Sequence, residues 1–406
     1  MPTLTRETEM DGALAQVSGL LSSFLSVKAA TAAHPELARL ARLLAGFVTG
    51  GKGLRPQLCV AGWLAAGGSG GSGPLGTGPS DSGPGGTGPG GTGPGDSGPG
   101  GTGPGGTGSS DSGLGDAVLH AAASLELFHA FALIQDDVMD GSVTRRGKLA
   151  MHCALATVYP AAADPDDSAD TSRKAFQFGC NAAVLLGDLA LVWSNELLAD
   201  APLSGAQRDA AGPVISAMRT EVIFGQYLDL LATGSKDGDV AATLAVARYK
   251  TASYTVHRPL QLGAVLAGAG PAVLDACRDV GIPLGEAFQL RDDLLGVFGD
   301  PARTGKPRLD DLREGKHTTL MALAMQRADP AQARQLRRMV GDPRLDEAGA
   351  CTVRGILEST GARAEVERMI ATRYRQAQAA LRDAPFTMAG SATLARLASS
   401  VVERDS

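Results

Sequence analysis

Apolar positions along this chain recur at intervals of three and four. Leu37, Leu40, Leu44 and Phe47 form one such series, ending at Gly50-Gly51, and Val366, Met369, Ile370 and Tyr374 form another. That spacing lays an apolar stripe along a helix. Ala, Leu, Arg and Glu dominate most of the sequence and β-branched alternation is scarce, so almost all of it reads as helix. The pattern breaks between Gly67 and Asp116, where prolines at 74, 79, 84, 89, 94, 99 and 104 mark a five-residue repeat resembling P-G-G-T-G. Collagen needs glycine at every third position, and the tract has only Leu75 and Leu114 to bury, so a flexible coil is expected. Loop-closure cost grows only logarithmically with length, which makes such an insertion tolerable between two helices. The expected organisation is one all-α domain, residues 1–66 and 117–406, interrupted by a disordered Gly/Pro-rich insertion at 67–116. A targeting or interaction role for the tract stays open.

Composition narrows the function classes. Of 406 residues, 44% are hydrophobic and 20% charged, as in a globular protein with a substantial core. A formal net charge of −6 argues against nucleic acid held on a basic surface. Cys59, Cys153, Cys180, Cys277 and Cys351 lie far apart with no C-x-x-C grouping, which fits free thiols in a reducing cytoplasm. Met1 to Asp11 has no apolar signal core, and no later stretch is expected to reach the ~20 apolar residues of a membrane span.

The chemistry concentrates in a few segments. An Ala/Leu/Phe-rich helix from Ala121 ends in Asp136-Asp137-Val138-Met139-Asp140. Residues four apart share a helix face, so Asp136 and Asp140 project together with Asp137 about 100° around. Carboxylates this close repel, and hard oxygen ligands suit Mg²⁺, which also takes phosphate oxygens. Taken alone, a solvated acidic helix end is the default explanation of the cluster, and it weakens once the other segments are counted. A second acidic pair, Asp292-Asp293, follows another helical pattern from Gly285. Basic residues appear beside glycine at Gly50-Gly51-Lys52-Gly53-Leu54-Arg55-Pro56, Arg145-Arg146-Gly147 and Thr304-Gly305-Lys306-Pro307, with Lys250-Thr251 besides. Glycine lets a backbone approach phosphate, arginine offers a two-pronged donor and lysine a point charge.

From Gly50 to Thr318 these segments resemble, in order and spacing, the trans-isoprenyl diphosphate synthases of the polyprenyl synthetase family, most closely bacterial geranylgeranyl diphosphate synthases. The matching pieces are G-G-K-x-L-R-P at 50–56, D-D-x-x-D at 136–140, R-R-G at 145–147, G-Q-x-L-D-L at 225–230, K-T at 250–251, F-Q-x-x-D-D at 288–293 and the run at 304–318. The resemblance implies an all-α bundle around a central cavity, a homodimer, and Mg²⁺-dependent head-to-tail (1′-4) condensation of isopentenyl diphosphate with allylic diphosphates. It assigns Lys52, Arg55, His129 and Arg146 to isopentenyl diphosphate, and Arg145, Lys250, Thr251, Gln289 and Lys306 to the allylic diphosphate, with Lys316 closing over it. Asp136, Asp140 and Asp292 are the implied ligands of three Mg²⁺ ions per site, supported by Asp137 and Asp293.

Two positions depart from the family pattern. Gly53 stands where arginine is common, and Gly296 stands where the second acidic motif commonly has a third carboxylate. Restoring the acid, Gly296→Asp, is expected to be mild. Product length is implied by the residues preceding Asp136. Phe131, five before it, is aromatic and Ala132, four before it, is small, the pattern of twenty-carbon synthases. Farnesyl diphosphate synthesis and a non-catalytic partner subunit remain the alternatives. A class I terpene cyclase shares D-D-x-x-D but lacks the site for a second diphosphate.

Overall fold

The computed structural model describes residues 2–68, 114–145, 147–159, 168–233, 238–299 and 309–402. Nearly all of the repeat tract, together with Arg146 and Lys306, lies outside them. The helix after the tract opens at Asp116, so the expected boundary moves by one residue.

That helix, α4 (Asp116–Asp140), organises the rest. Val118, Leu125, Leu127, Phe128, Ala130 and Ile134 are all buried, so apolar side chains leave it on every side. Such a helix is stable only when surrounded. Preceding it are α1 (Pro2–Ala30), α2 (Pro35–Val48) and α3 (Leu54–Ala65). A two-residue hairpin, β1 (Thr144–Arg145) with β2 (Lys148–Leu149), and α5 (Met151–Ala156) follow it. The long α6 (Ser168–Ala199) packs along α4, where the Ser194 hydroxyl donates to the Ser124 carbonyl at 2.8 Å. Next come α7 (Gly205–Ala232), α8 (Val240–Val246), a π-helical segment (Ala247–His257), α9 (Arg258–Leu266) and α10 (Pro271–Phe298). The short α11 (Asp310–Arg313) leads to α12 (Thr319–Arg327), α13 (Pro330–Met339), α14 (Glu347–Ser359), α15 (Ala362–Asp383) and α16 (Met388–Val402). The architecture is the all-α one read from the periodicity, and the described hairpin interrupts it only beside the Asp136 cluster.

The expectation about membrane-length segments needs correcting. Met10–Ala30, Asp116–Asp140 and Asp170–Ala199 are each long and apolar enough to cross a membrane by length and composition. Alanine and leucine raise their hydropathy without any long unbroken apolar run. In α4 this composition serves the interior, with 67% of the apolar window buried, against 28% in α6. The outer side of α6 therefore exposes Phe178, Leu185 and Val192 at seven-residue spacing, and α7 exposes Ile223, Tyr227 and Leu231.

A close approach fixes the π-helical segment. A Cβ on Gly225 of α7 would lie 2.6 Å from the Lys250 Cα, so only glycine allows the two backbones to meet there. Gly225→Ala should cost about 1–3 kcal/mol through overpacking. Urea denaturation would show it, and an unchanged midpoint would mean that the segment shifts freely.

Candidate active site

Where α4, α7, α10 and the π-helical segment converge they enclose a cavity of about 930 Å³. Its lining includes Lys52, Arg55, His129, Ala132, Asp136 and Asp140 from the first half of the chain. Arg145, Lys250, Thr251, Gln289, Asp292, Asp293 and Lys316 complete the set of predicted residues that it gathers. Residues more than 250 positions apart in sequence thus share one space.

One wall is acidic and tightly tied. Asp136, Asp140 and Asp229 each place a carboxylate oxygen within 4.8 Å of the others. Helical spacing supplied the first two. Asp229 arrives on α7, and sequence reasoning missed it as a site residue although it stands in the recognised G-Q-x-L-D-L run. Among the described residues, this trio is the acidic group close enough to share one cation, and Asp292 stands apart from it on α10. The Lys250 ammonium donates to Asp136 at 2.7 Å and to Asp229 at 2.5 Å. Burial would lower its pKa, but Asp136 and Asp229 raise it on balance. Arg145 reaches over from β1, donating to Asp137 at 2.6 Å and to Asp136 at 3.4 Å. Asp137 is fully buried and is not among the cavity-lining residues, so it holds Arg145 from behind.

These contacts split the acidity of neighbouring carboxyls. Burial works to raise Asp136, but Lys250, Lys316 and Arg145 outweigh it and bring it down to about 2. Asp140 is pushed up to about 7, by burial first and by the Asp136 charge next. A shared proton or a cation satisfies such a pair.

The opposite wall belongs to α10. The Thr251 hydroxyl donates to Gln289 Oε1 at 2.6 Å, and Gln289 Nε2 donates to Asp293 at 2.7 Å, which orients that carboxyl. Burial pushes Asp293 up to about 7. The place beside Gly296 is taken: a Cβ there would fall on the Asp311 carboxylate, 2.7 Å from its Cγ. A larger residue at 296 displaces that carboxylate, which is the free end of a flexible side chain.

A cationic end completes the cavity. The Arg55 guanidinium donates to the Tyr254 and Thr255 hydroxyls, each at 2.7 Å, and stacks 4.5 Å above the Tyr254 ring. Tyr254 also pairs with His129 Nδ1 at 3.2 Å. Neither Tyr254 nor Thr255 was foreseen; their only signal is position within the turn that follows Lys250-Thr251. Gly53 adopts φ +57° ahead of α3, a conformation that arginine would strain. Ala132 lines the cavity, whereas Phe131 is not among its lining residues and packs on Phe128 at 5.6 Å between ring centroids.

The pKa shifts predict a pH dependence. Asp140 and Asp293 bind protons more tightly folded than unfolded, so ionising them costs stability. With divalent cations removed, the melting temperature should fall as pH rises from about 4 to about 7. Asp140→Asn should flatten that slope, and a variant with the wild-type slope would show that Asp140 ionises without cost.

Known proteins place this arrangement. The polyprenyl synthetase family model matches residues 107–353, more than half of the chain. The geranylfarnesyl diphosphate synthase of Aeropyrum pernix is 34% identical over 244 residues, 59% of this chain and 68% of that protein. The geranylgeranyl diphosphate synthase of Mycobacterium tuberculosis is 33% identical over 210 residues, and the match spans only about half of it, 51%. Among solved structures, the geranylgeranyl pyrophosphate synthase of Corynebacterium glutamicum, complexed with isoprenyl diphosphate and magnesium, superposes with a TM-score of 0.79 at 35% identity. That superposition covers 98% of this chain and 99% of the other. With its family model matched and its fold shared nearly end to end, the chain belongs to the polyprenyl synthetase family and is a trans-prenyltransferase of the isoprenyl diphosphate synthase type.

Proposed function

We propose that this chain condenses isopentenyl diphosphate head to tail (1′-4) with allylic diphosphates, in a Mg²⁺-dependent reaction, to release the twenty-carbon geranylgeranyl diphosphate. The observation that carries this reading is the two-walled cavity. Asp136, Asp140 and Asp229 face Asp292 and Asp293 across it, with Lys250 and Lys316 on its lining and Arg55 and His129 toward one end. Terpene cyclisation would use one diphosphate, whereas this lining offers cations for two.

The donor set fits a hard divalent cation, because three carboxylate oxygens converge, and burial together with the Asp136 charge pushes the Asp140 carboxyl toward its protonated form. Asp136 and Asp140 on one wall and Asp292 on the other would hold the Mg²⁺ ions, which we take to be three. When bound, Mg²⁺ supplies charge neutralisation for the pyrophosphate oxygens. Lys250, Arg145 and Lys316 bind the same diphosphate and favour the charge that grows on it as the allylic C1–O bond breaks. Pyrophosphate leaves with the bonding electron pair, and the C4 end of isopentenyl diphosphate bonds to the allylic C1. The positive charge then falls on C3, and a proton from the neighbouring C2 passes to the departing pyrophosphate, its bonding pair forming the new C2=C3 double bond. Arg55, His129 and Lys52 hold the second diphosphate in place. No side chain forms a covalent bond.

In this reading the hydrocarbon tail extends past Ala132, and the Phe128–Phe131 pair, packed behind the cavity lining, limits how far it can go. Assembly as a homodimer is part of the same proposal, supported by the apolar stripes left exposed on α6 and α7. Five unpaired cysteines accord with a cytoplasmic location.

Asp136→Asn and Asp140→Asn should each lower turnover by roughly a hundredfold or more while leaving the circular dichroism spectrum unchanged. Near wild-type rates in either variant would remove the metal assignment. For product length, Phe131→Ala should yield chains beyond twenty carbons and Ala132→Phe should shorten them towards fifteen. Chromatography of dephosphorylated products reads this, and an unaltered spectrum in both active variants would place the floor elsewhere.

A further inference from the structure

Lys250 and Thr251 of the π-helical segment serve the acidic walls, and the residues that follow them serve the cationic end. Tyr254 and Thr255 line the cavity there together with Arg55 and His129. Arg55 is only 8% exposed, and among the described residues no carboxylate pairs with it. Its Nη2 donates to the Tyr254 hydroxyl and to the Thr255 hydroxyl, each at 2.7 Å, so both protons of that nitrogen are engaged. Its Nε is buried without a partner. A buried cation held on one side by neutral hydroxyls, with a donor left unmatched, is set up for an anion that the protein itself does not supply.

Tyr254 joins this arginine to the histidine. Arginine can only donate, so the phenolic oxygen accepts from Arg55. The phenolic proton then has one acceptor within reach among the described residues, His129 Nδ1 at 3.2 Å. In a neutral imidazole that leaves the ring proton on Nε2. The tyrosine ring is itself held in place, edge to face with Phe128 at 6.2 Å between centroids and 4.5 Å from the Arg55 Cζ. We propose that Tyr254 is a positioning residue for isopentenyl diphosphate: its hydroxyl, with that of Thr255, fixes Arg55 and His129 in the orientation in which their remaining N–H groups receive the diphosphate. The phenol acts through those two side chains and does not itself have to touch the substrate. Lys250 and Tyr254 stand within about one turn of the same π-helical segment, so one stretch of backbone also sets the spacing between the two diphosphates.

The inference rests on reading the cationic end as the isopentenyl diphosphate site, and the test separates the two. Isothermal titration calorimetry of the purified full chain with isopentenyl diphosphate, without divalent cations, gives Kd. Steady-state kinetics with Mg²⁺ gives KM for each substrate, and circular dichroism checks folding. Wild type that does not bind isopentenyl diphosphate, or whose binding is not weakened by Arg55→Lys, would overturn the site reading and this inference together. Given that binding, Tyr254→Phe keeps the ring and removes only the oxygen. It should raise Kd and KM for isopentenyl diphosphate by about tenfold, with KM for the allylic diphosphate and product length unchanged. In an Arg55→Lys background the same substitution should cost less than about threefold, because the group it orients is gone. Unchanged isopentenyl diphosphate affinity in Tyr254→Phe would overturn the inference and leave the site reading standing. So would an equal loss for both diphosphates, a shift in product length, or a full tenfold loss on top of Arg55→Lys.

Discussion

Lys250 is the tie on which the cavity depends. Its ammonium stands between Asp136 of α4 and Asp229 of α7, and its own backbone is pinned against Gly225 of α7. Without it, three carboxylates within 4.8 Å would face one another unscreened. At an effective dielectric constant near 20, each such pair repels by about 4 kcal/mol at 4 Å, comparable with much of a domain's net stability. One lysine placed between two of the three turns that repulsion into attraction for part of the cluster. The remaining carboxyl, Asp140, is left protonated or in need of a cation. An excess of negative charge held in a rigid helical frame suits a divalent cation.

The frame follows from apolar packing. The all-round apolar character of α4 forces other helices to surround it, and its polar C-terminal end is therefore delivered to the rim of the cavity while its middle forms the wall beneath. A charged rim and a largely apolar wall thus come from a single helix. The π-helical segment serves the same economy, placing Lys250, Thr251, Tyr254 and Thr255 on the cavity wall within little more than one wide turn.

What could be read in advance was whatever a single helix encodes. The pairing of Asp136 with Asp140, and of both with His129 two turns earlier, is fixed by a 100° rotation per residue and appeared in the structure as expected. Contacts between elements were not legible from periodicity. Asp229 joins the cluster because α7 crosses α4 at that level, and Tyr254 meets Arg55 because two segments about 200 residues apart pack together. Gly296 shows the limit most clearly. In the sequence it is a missing acid; in space the position is occupied by Asp311 from another helix. Asp137 shows the reverse, since a carboxylate inside the motif turns inward to hold Arg145. The membrane-length helices were misjudged because alanine-rich segments of a packed bundle reach the same mean hydropathy as a span.

The central claim is that this chain, by itself, ionises an allylic diphosphate and extends it with isopentenyl diphosphate. Incubating the purified protein with labelled isopentenyl diphosphate and each allylic primer in turn, with Mg²⁺ or with chelator, tests it most directly. The account predicts labelled geranylgeranyl diphosphate with Mg²⁺ and none with chelator. Failure to incorporate label from any primer in the presence of Mg²⁺, by a folded protein, would contradict it.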